Sequence, residues 1–97
     1  MTGKQRAYLR GLANGMDTII YVGKGGVTET VIRQTEEALA ARELIKGRVL
    51  EASLLTAREA CDMLAEATGA EGVQTIGSRF VLFRPDPDEP KITLPKA

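Results

Sequence analysis

The segment Val22–Thr28, which reads Val-Gly-Lys-Gly-Gly-Val-Thr, does most to limit how this chain can fold. Before the glycines, Thr18–Val22 is β-branched and aromatic without a charge, which is typical of a buried strand. After them, Thr28 is a good helix N-cap, and Glu29 in the first turn suits the positive end of the helix dipole. A strand, a glycine-rich loop and a helix in direct succession predict an α/β fold.

Seven elements are expected along the chain, in the order α-β-α-β-α-β-β. The first helix begins near Gly3, where Thr2 and Gln5 have capping-box spacing, and it stops at the Asn14-Gly15 turn. The later elements are a helix ending near Arg42, a strand over Leu44–Glu51, a helix between the capping box at 56–59 and Gly69, and strands over Val73–Ile76 and Phe80–Phe83 joined by the hairpin turn Gly77-Ser78. These elements predict a four-stranded mixed sheet with helices, in which the last pair of strands is antiparallel.

The 97 residues are expected to form one domain, with an ordered core over about 2–85 and an extended, proline-punctuated tail over 86–97. The apolar stripe of the first helix is expected at Ala7, Tyr8, Gly11 and Leu12. One face of the second strand would carry Ile45, Gly47 and Val49, and the other would carry Lys46 and Arg48. Phe80 and Phe83 should point to opposite faces of their strand, with at least one of them in the core.

The side-chain inventory argues against catalysis and metal binding. The chain has no histidine, which removes the commonest general base and the commonest neutral metal ligand. Its one cysteine, Cys61, falls on the apolar stripe of the third helix and is expected to be a packing residue. Asp62 and Glu66 form an i, i+4 pair that is more typical of a solvated helix face than of a site. We therefore expect no catalytic residue, no metal and no cofactor.

The apolar residues are too dispersed for a membrane protein. No apolar run approaches the length of a membrane-spanning helix, and the N-terminus leads into a polar helix rather than a signal-peptide core. By elimination the sequence favours a cytoplasmic location and no membrane partner.

Charge is balanced in sum but polarised along the chain. There are 13 basic and 13 acidic residues, which argues against indiscriminate nucleic-acid binding. Residues 1–24 carry four basic residues against one acidic residue, whereas residues 51–71 carry five acidic residues against one basic residue. The domain can therefore present one basic face at neutral net charge, and its third helix is acidic.

The loop Gly23-Lys24-Gly25-Gly26 has the properties of an anion-binding turn. Glycines allow close approach of a ligand to the backbone, and the loop leads into a helix N-terminus, where unpaired N–H groups attract an anion. It matches neither the P-loop nor the dinucleotide-binding pattern, because position 28 is threonine and no Gly-x-x-x-x-Gly-Lys string exists. A short Gly-x-x-Gly loop is the device by which KH domains hold a nucleic-acid backbone. A plain tight turn before a helix is the alternative.

Further cations extend the candidate site if the fold brings them to the loop. Arg6 and Arg10 are spaced i, i+4 on one helix face, and Arg79 lies beside the hairpin turn. The candidate phosphate-contacting residues are Gly23, Lys24, Gly25, Gly26, Thr28, Arg6, Arg10, Lys46, Arg48 and Arg79. A scatter of solvated charges is the alternative. Aromatic residues are scarce, so readout by base stacking has little support from the sequence.

Several strings along the chain resemble one known family. They are Gln5-x-x-x-Leu9-x-Gly11-Leu12-Ala13, the run from Val22 to Glu29, Glu43-Leu44-Ile45-Lys46, Thr68-Gly69-Ala70, Val73-Gln74-x-Ile76-Gly77, Val81-Leu82-Phe83-Arg84-Pro85 and Ile92-x-Leu94-Pro95. In order and spacing they resemble the YhbY-like bacterial members of the CRM (chloroplast RNA splicing and ribosome maturation) domain family, over about Lys4 to Leu94.

The resemblance implies a fold like the C-terminal domain of translation initiation factor three, with an added N-terminal helix. It also implies RNA binding through the Gly-x-x-Gly loop and, for a free-standing bacterial domain, association with the precursor of the large ribosomal subunit. The partner is then ribosomal RNA, with no DNA expected, and the oligomeric state is open. The chain departs from the family at the turn 14–18, at Gly47 and in the acidic stretch 86–89.

Two other functions remain open at this stage. One is a protein-interaction adaptor that binds a ribosomal protein or an assembly factor through the acidic third helix. The other is a small enzyme, which is the least favoured function because the chain has no histidine.

Overall fold

Three helices and four strands alternate in the order expected from the sequence. The computed structural model describes residues 1–96. Its elements are α1 (Gly3–Ala13), β1 (Thr18–Val22), α2 (Glu29–Arg42), β2 (Leu44–Val49), α3 (Ala57–Thr68), β3 (Glu71–Ile76) and β4 (Arg79–Phe83). All seven predicted elements are therefore confirmed.

The sheet has the strand order β1-β2-β4-β3. The pair β1 and β2 is parallel, and β4 lies antiparallel to both β2 and β3. The carboxyl ends of β1, β2 and β3 therefore meet at one end of the sheet, together with the β3–β4 turn. The loop Gly23–Gly26 leaves the sheet at this end.

Each face of the sheet has its own core. The larger core joins α2 and α3 to one face and is built from residues such as Ile45, Leu64 and Phe80. The smaller core lies on the other face, where α1 packs on Leu44, Val73, Val81 and Phe83. Phe80 and Phe83 are thus buried on opposite faces, as their spacing predicted, and each belongs to a different core.

The predicted apolar stripe of α1 is wrong. Tyr8 is 43% exposed and Leu12 is 39% exposed, whereas Leu9 and Ala13 are buried in the smaller core. The helix is rotated about its axis because Arg6, one turn before Leu9, donates hydrogen bonds to backbone carbonyls of β3. Arg6, Leu9 and Ala13 therefore form the face that meets the sheet.

Local capping signals in the sequence are confirmed. Capping boxes join Thr2 to Gln5 and Thr56 to Glu59, and Thr28 accepts a hydrogen bond from the N–H of Val31 at 3.2 Å. Gly69 ends α3 in the left-handed region, with φ of 71°. Each of these signals lies within one helical turn, which is why the sequence suffices to read it.

The stretch 86–96 contains no helix or strand, but it folds back onto the domain. Ile92 and Leu94 pack against the smaller core, and the side-chain amide of Gln5 donates to the carbonyl of Pro95 at 3.1 Å. The carboxylate of Glu43 holds this stretch from the end of α2. The last residue of the predicted tail, Ala97, lies outside the described residues.

Candidate nucleic-acid interface

The Gly23–Gly26 loop is a tight turn between β1 and α2. The N–H of Gly26 donates to the carbonyl of Gly23 at 3.0 Å, and the N–H of Thr28 donates to the carbonyl of Gly26 at 3.1 Å. Gly26 has φ of 72°, a conformation that favours glycine. These two bonds fix the course of the loop.

Several backbone donors at this junction have no partner. Within residues 1–96, no hydrogen bond engages the N–H groups of Lys24, Gly25, Val27, Glu29 and Thr30. The last two open the 14-residue helix α2, whose dipole is positive at this end. Lys24 is exposed at the tip, and in the described part of the chain it forms no ion pair. Unpaired N–H groups at a helix N-terminus attract anions, so this junction remains the candidate site for a phosphate.

The connection between β2 and α3 lies next to the Gly23–Gly26 loop. A Cβ placed on Gly23 would lie 3.8 Å from Cδ1 of Leu50, and one on Gly26 would lie 3.6 Å from Cδ1 of Leu55. Beside this contact is an open cavity of about 460 Å³, lined by residues that include Arg48, Leu55 and the turn at Gly77. The loop therefore lies beside apolar side chains of the β2–α3 connection.

Basic side chains lie on the sheet face opposite α2 and α3. Ile45, Gly47 and Val49 point toward the larger core, so Lys46 and Arg48 point to the other face, as predicted. α1 and the tail cover only the half of that face around Val81 and Phe83. The half nearest the loop is open.

Four residues that pair across neighbouring strands form a row on this open half. Tyr21 pairs with Arg48, Arg48 pairs with Arg79, and Arg79 pairs with Ile76. All four side chains are exposed. Since Tyr21 is two residues before Gly23, the fold brings Arg48 and Arg79 to the same end of the sheet as Lys24.

Arg6 lies elsewhere. Its Nη1 donates to the carbonyls of Gly72 and Val73, the second at 3.1 Å, at the start of the far edge strand β3. From strand spacing and rise, this point is about 20 Å from Gly23 across the sheet. Arg10, one turn later on the same helix, is half-exposed and its side chain makes no hydrogen bond within the described residues. The fold therefore does not bring the predicted α1 cations to the loop as one cluster.

Tyr21 was not among the predicted site residues. It is 49% exposed, and its hydroxyl donates to the carbonyl of Thr18 at 3.3 Å. The signal was present in the alternation of β1, because Ile20 and Val22 point inward and leave Tyr21 facing out. Because β1 was predicted to be buried along its whole length, Tyr21 was not expected at the surface.

The residues considered for catalysis do not form a site. Cys61 is buried, and its pKa is raised to about 11 by burial and then by the negative charge of Asp62. Asp62 is exposed and lies 3.5 Å from Arg58 in an ion pair along α3. Residues 1–96 contain no group of three acidic or cysteine side chains placed to hold a metal ion. None of the helices described is both long and apolar enough to cross a bilayer.

Comparison with known proteins identifies a family, similar sequences and a similar solved structure. The sequence model of the CRS1/YhbY (CRM) domain matches residues 1–84. The "Probable RNA-binding protein YqeI" of Bacillus subtilis is 40% identical over 95 residues, which cover 98% of this chain and 99% of that protein. An "RNA-binding protein" of Haemophilus influenzae is 38% identical over 96 residues, covering 99% and 96% of the two chains. The solution structure of the hypothetical protein SAV1595 from Staphylococcus aureus superimposes with a TM-score of 0.82 at 44% identity, covering 98% of this chain and 99% of that one.

Proposed function

This chain belongs to the CRS1/YhbY (CRM) domain family, and we propose that it is a non-catalytic RNA-binding protein. The names of its relatives in Bacillus subtilis and Haemophilus influenzae support RNA as the ligand. The absence of histidine and the inert surroundings of Cys61 support a role that is not catalytic. Binding then consists of holding an RNA backbone in place.

The observation that carries the proposal is the loop and its continuation onto the sheet. Unpartnered N–H groups and the exposed side chain of Lys24 lie at the start of α2. Arg48 and Arg79 follow on the adjacent open face of the sheet. Such a surface neutralises consecutive phosphates, and it supplies affinity and position more than sequence recognition.

The finer part of the proposal concerns the RNA. We assign it to ribosomal RNA of the large-subunit precursor, with a role in assembly of that subunit and a cytoplasmic location. The support is the resemblance to free-standing YhbY-like bacterial domains, which extends along nearly the whole chain. We expect the protein to bind neither DNA nor a membrane.

Salt dependence of RNA binding tests the coarse proposal. The affinity for a transcript of large-subunit ribosomal RNA would be measured by anisotropy over a series of salt concentrations. Counterion release predicts that log affinity falls by about 0.7–0.9 per log unit of salt for each phosphate neutralised. Absence of binding at low salt, or binding without a salt slope, would contradict the proposal.

Lys24→Glu tests the loop and separates RNA binding from the adaptor function. The variant should lose most RNA affinity yet keep its stability, because Lys24 is exposed and in the described chain is unpaired. Lys96→Glu makes the same charge change at another exposed lysine and serves as the control.

If the protein is an adaptor instead, α3 offers the surface for its partner, because Glu59, Asp62 and Glu66 are exposed. If Lys24→Glu still co-sediments with the subunit precursor, and RNase does not release it, the adaptor function is favoured.

A further inference from the structure

Tyr21 presents an aromatic ring to solvent beside the phosphate-binding loop. The residue is 49% exposed, although both of its neighbours in β1, Ile20 and Val22, are buried. Its hydroxyl donates to the carbonyl of Thr18, three residues back along the strand, at 3.3 Å. This bond is long for an O–H···O pair and therefore weak, and it directs the ring back along β1. A tyrosine side chain has only two torsions, so ordering its ring against a flat ligand costs little conformational entropy.

The charged residues around Tyr21 indicate which kind of ligand this surface can bind. Across the open half of the sheet its partners in register are Arg48 and then Arg79, and Lys46 lies one step back on β2. No acidic residue lies in this row from Tyr21 to Ile76. An aromatic ring beside arginine guanidinium groups is a surface on which nucleobases stack, and the arginines also attract the phosphates that join those bases.

Position relative to the loop narrows the ligand further. Tyr21 is about 7 Å along β1 from Gly23, where the Gly23–Gly26 loop begins. This is within the reach of one nucleotide whose phosphate is held by the loop amides and Lys24. A duplex could not use the ring, because its bases are already stacked on each other.

We propose that Tyr21 is a base-stacking residue, which receives one unpaired base of the RNA whose adjoining phosphate is held by the Gly23–Gly26 loop. The inference rests on the proposed RNA-binding function and adds to it a preference for single-stranded or unpaired RNA. Tyr21 would then contact a base, whereas the other candidate residues are proposed to contact phosphates.

The chain offers a direct optical test. It contains two tyrosines and no tryptophan, so Tyr8→Phe leaves Tyr21 as its only tyrosine fluorophore. Addition of a short oligoadenylate should quench this emission, because a stacked base quenches tyrosine. A strand of the same length with abasic riboses keeps the phosphates but should leave the emission unchanged.

Affinity gives an independent measure. Tyr21→Leu should weaken binding of oligoadenylate by about 10-fold, in the range observed for loss of one stacked base. It should leave binding of the abasic strand unchanged, since there is no base to lose. Tyr8→Leu, which removes the other tyrosine at a similar exposure of 43%, is the matched control and should bind oligoadenylate like the unmodified protein. Unfolding by urea would verify that both variants fold.

The outcomes separate this inference from the function on which it rests. If the unmodified protein binds both strands equally, and Tyr21→Leu changes neither affinity, the stacking role is wrong while RNA binding stands. If the protein binds neither these strands nor the ribosomal transcript at low salt, both the function and the inference fall. Quenching together with a loss confined to the strand that has bases supports the inference.

Discussion

The ring of Phe80 in β4 occupies the space that a side chain on Gly47 of β2 would fill. The two residues pair across the strands, and a Cβ on Gly47 would overlap the ring atoms of Phe80. Phe80 is 1% exposed and belongs to the larger core under α2 and α3. The glycine that looked out of place in the sequence of a central strand is therefore required by the aromatic residue opposite.

Gly47→Ala should destabilise the protein by about 1–3 kcal/mol, as expected for an overpacked core. Alanine is normally better than glycine in a strand by about 0.5–1 kcal/mol, so the sign alone tests the contact. The free energy of unfolding would be measured in urea by circular dichroism. In a Phe80→Leu background the same substitution should cost less or become stabilising, because the ring is absent. An equal cost in both backgrounds would contradict this explanation.

Glu43 anchors the stretch 86–96, and we expect Glu43→Gln to release it. The buried carboxylate accepts hydrogen bonds from the N–H groups of Asp86, Lys91 and Ile92 at 2.6, 2.7 and 2.8 Å. A glutamine has one acceptor oxygen, and its NH₂ group would face at least one of these donors. The free energy of unfolding should fall by at least about 1–3 kcal/mol, since each buried donor left unpaired costs that much. Hydrogen exchange at Lys91 and Ile92 would accelerate, whereas exposed Glu37→Gln on the same helix should leave it unchanged.

The same anchor predicts a dependence of stability on pH. Burial raises the pKa of Glu43, but the three backbone N–H groups and the charge of Lys91 outweigh it, and the pKa lies below its ordinary value of 4.5. A carboxyl whose pKa is lowered by folding stabilises the protein above the unfolded value, and this stability is lost as pH falls through the folded value. The difference in unfolding free energy between the protein and Glu43→Gln should therefore be constant near neutrality and shrink below about pH 4.5. A difference that grows on acidification would overturn this assignment.

The sequence predicted those parts of the structure that depend on neighbours along the chain. The caps at Thr28 and Thr56, the left-handed Gly69 and the strand–loop–helix junction each need only a few consecutive residues. The two faces of β2 follow from alternation alone. These signals were enough for the order of elements and for the position of the Gly23–Gly26 loop between β1 and α2.

The remaining features depend on contacts between distant residues. α1 has apolar residues on more than one side, and its rotation is decided by hydrogen bonds from Arg6 to carbonyls 66 and 67 residues away. The docking of the tail depends on Glu43, whose partners lie 43 to 49 residues later. The alternation of β1 puts Tyr21 on the face opposite Ile20 and Val22, but its exposure there depends on how much of that face α1 covers, which no local pattern contains.

Cys61 should be inert in the folded protein. It is 2% exposed, its Sγ lies 3.0 Å from the position of a Cβ on Gly72, and burial raises its pKa to about 11. At pH 8 about one thiol in a thousand is then ionised. Alkylation by iodoacetamide should be slow under native conditions and should accelerate in urea in step with unfolding. A native rate equal to the rate in urea would mean that α3 does not cover the thiol.

Arginine substitutions should divide the predicted site into two parts. Arg48→Gln and Arg79→Gln remove cations from the open sheet face beside the loop, so each should weaken RNA binding and lower the salt slope by about 0.7. Arg6→Gln should leave the slope unchanged, because its guanidinium is held by the carbonyls of Gly72 and Val73 about 20 Å from the loop. It should instead lower the free energy of unfolding by about 1–3 kcal/mol, since those acceptors lose a charged donor. The slopes would come from anisotropy titrations of one RNA with all three variants, and the stabilities from urea unfolding. A lower slope for Arg6→Gln at unchanged stability would restore Arg6 to the RNA-binding surface, as its spacing with Arg10 first predicted.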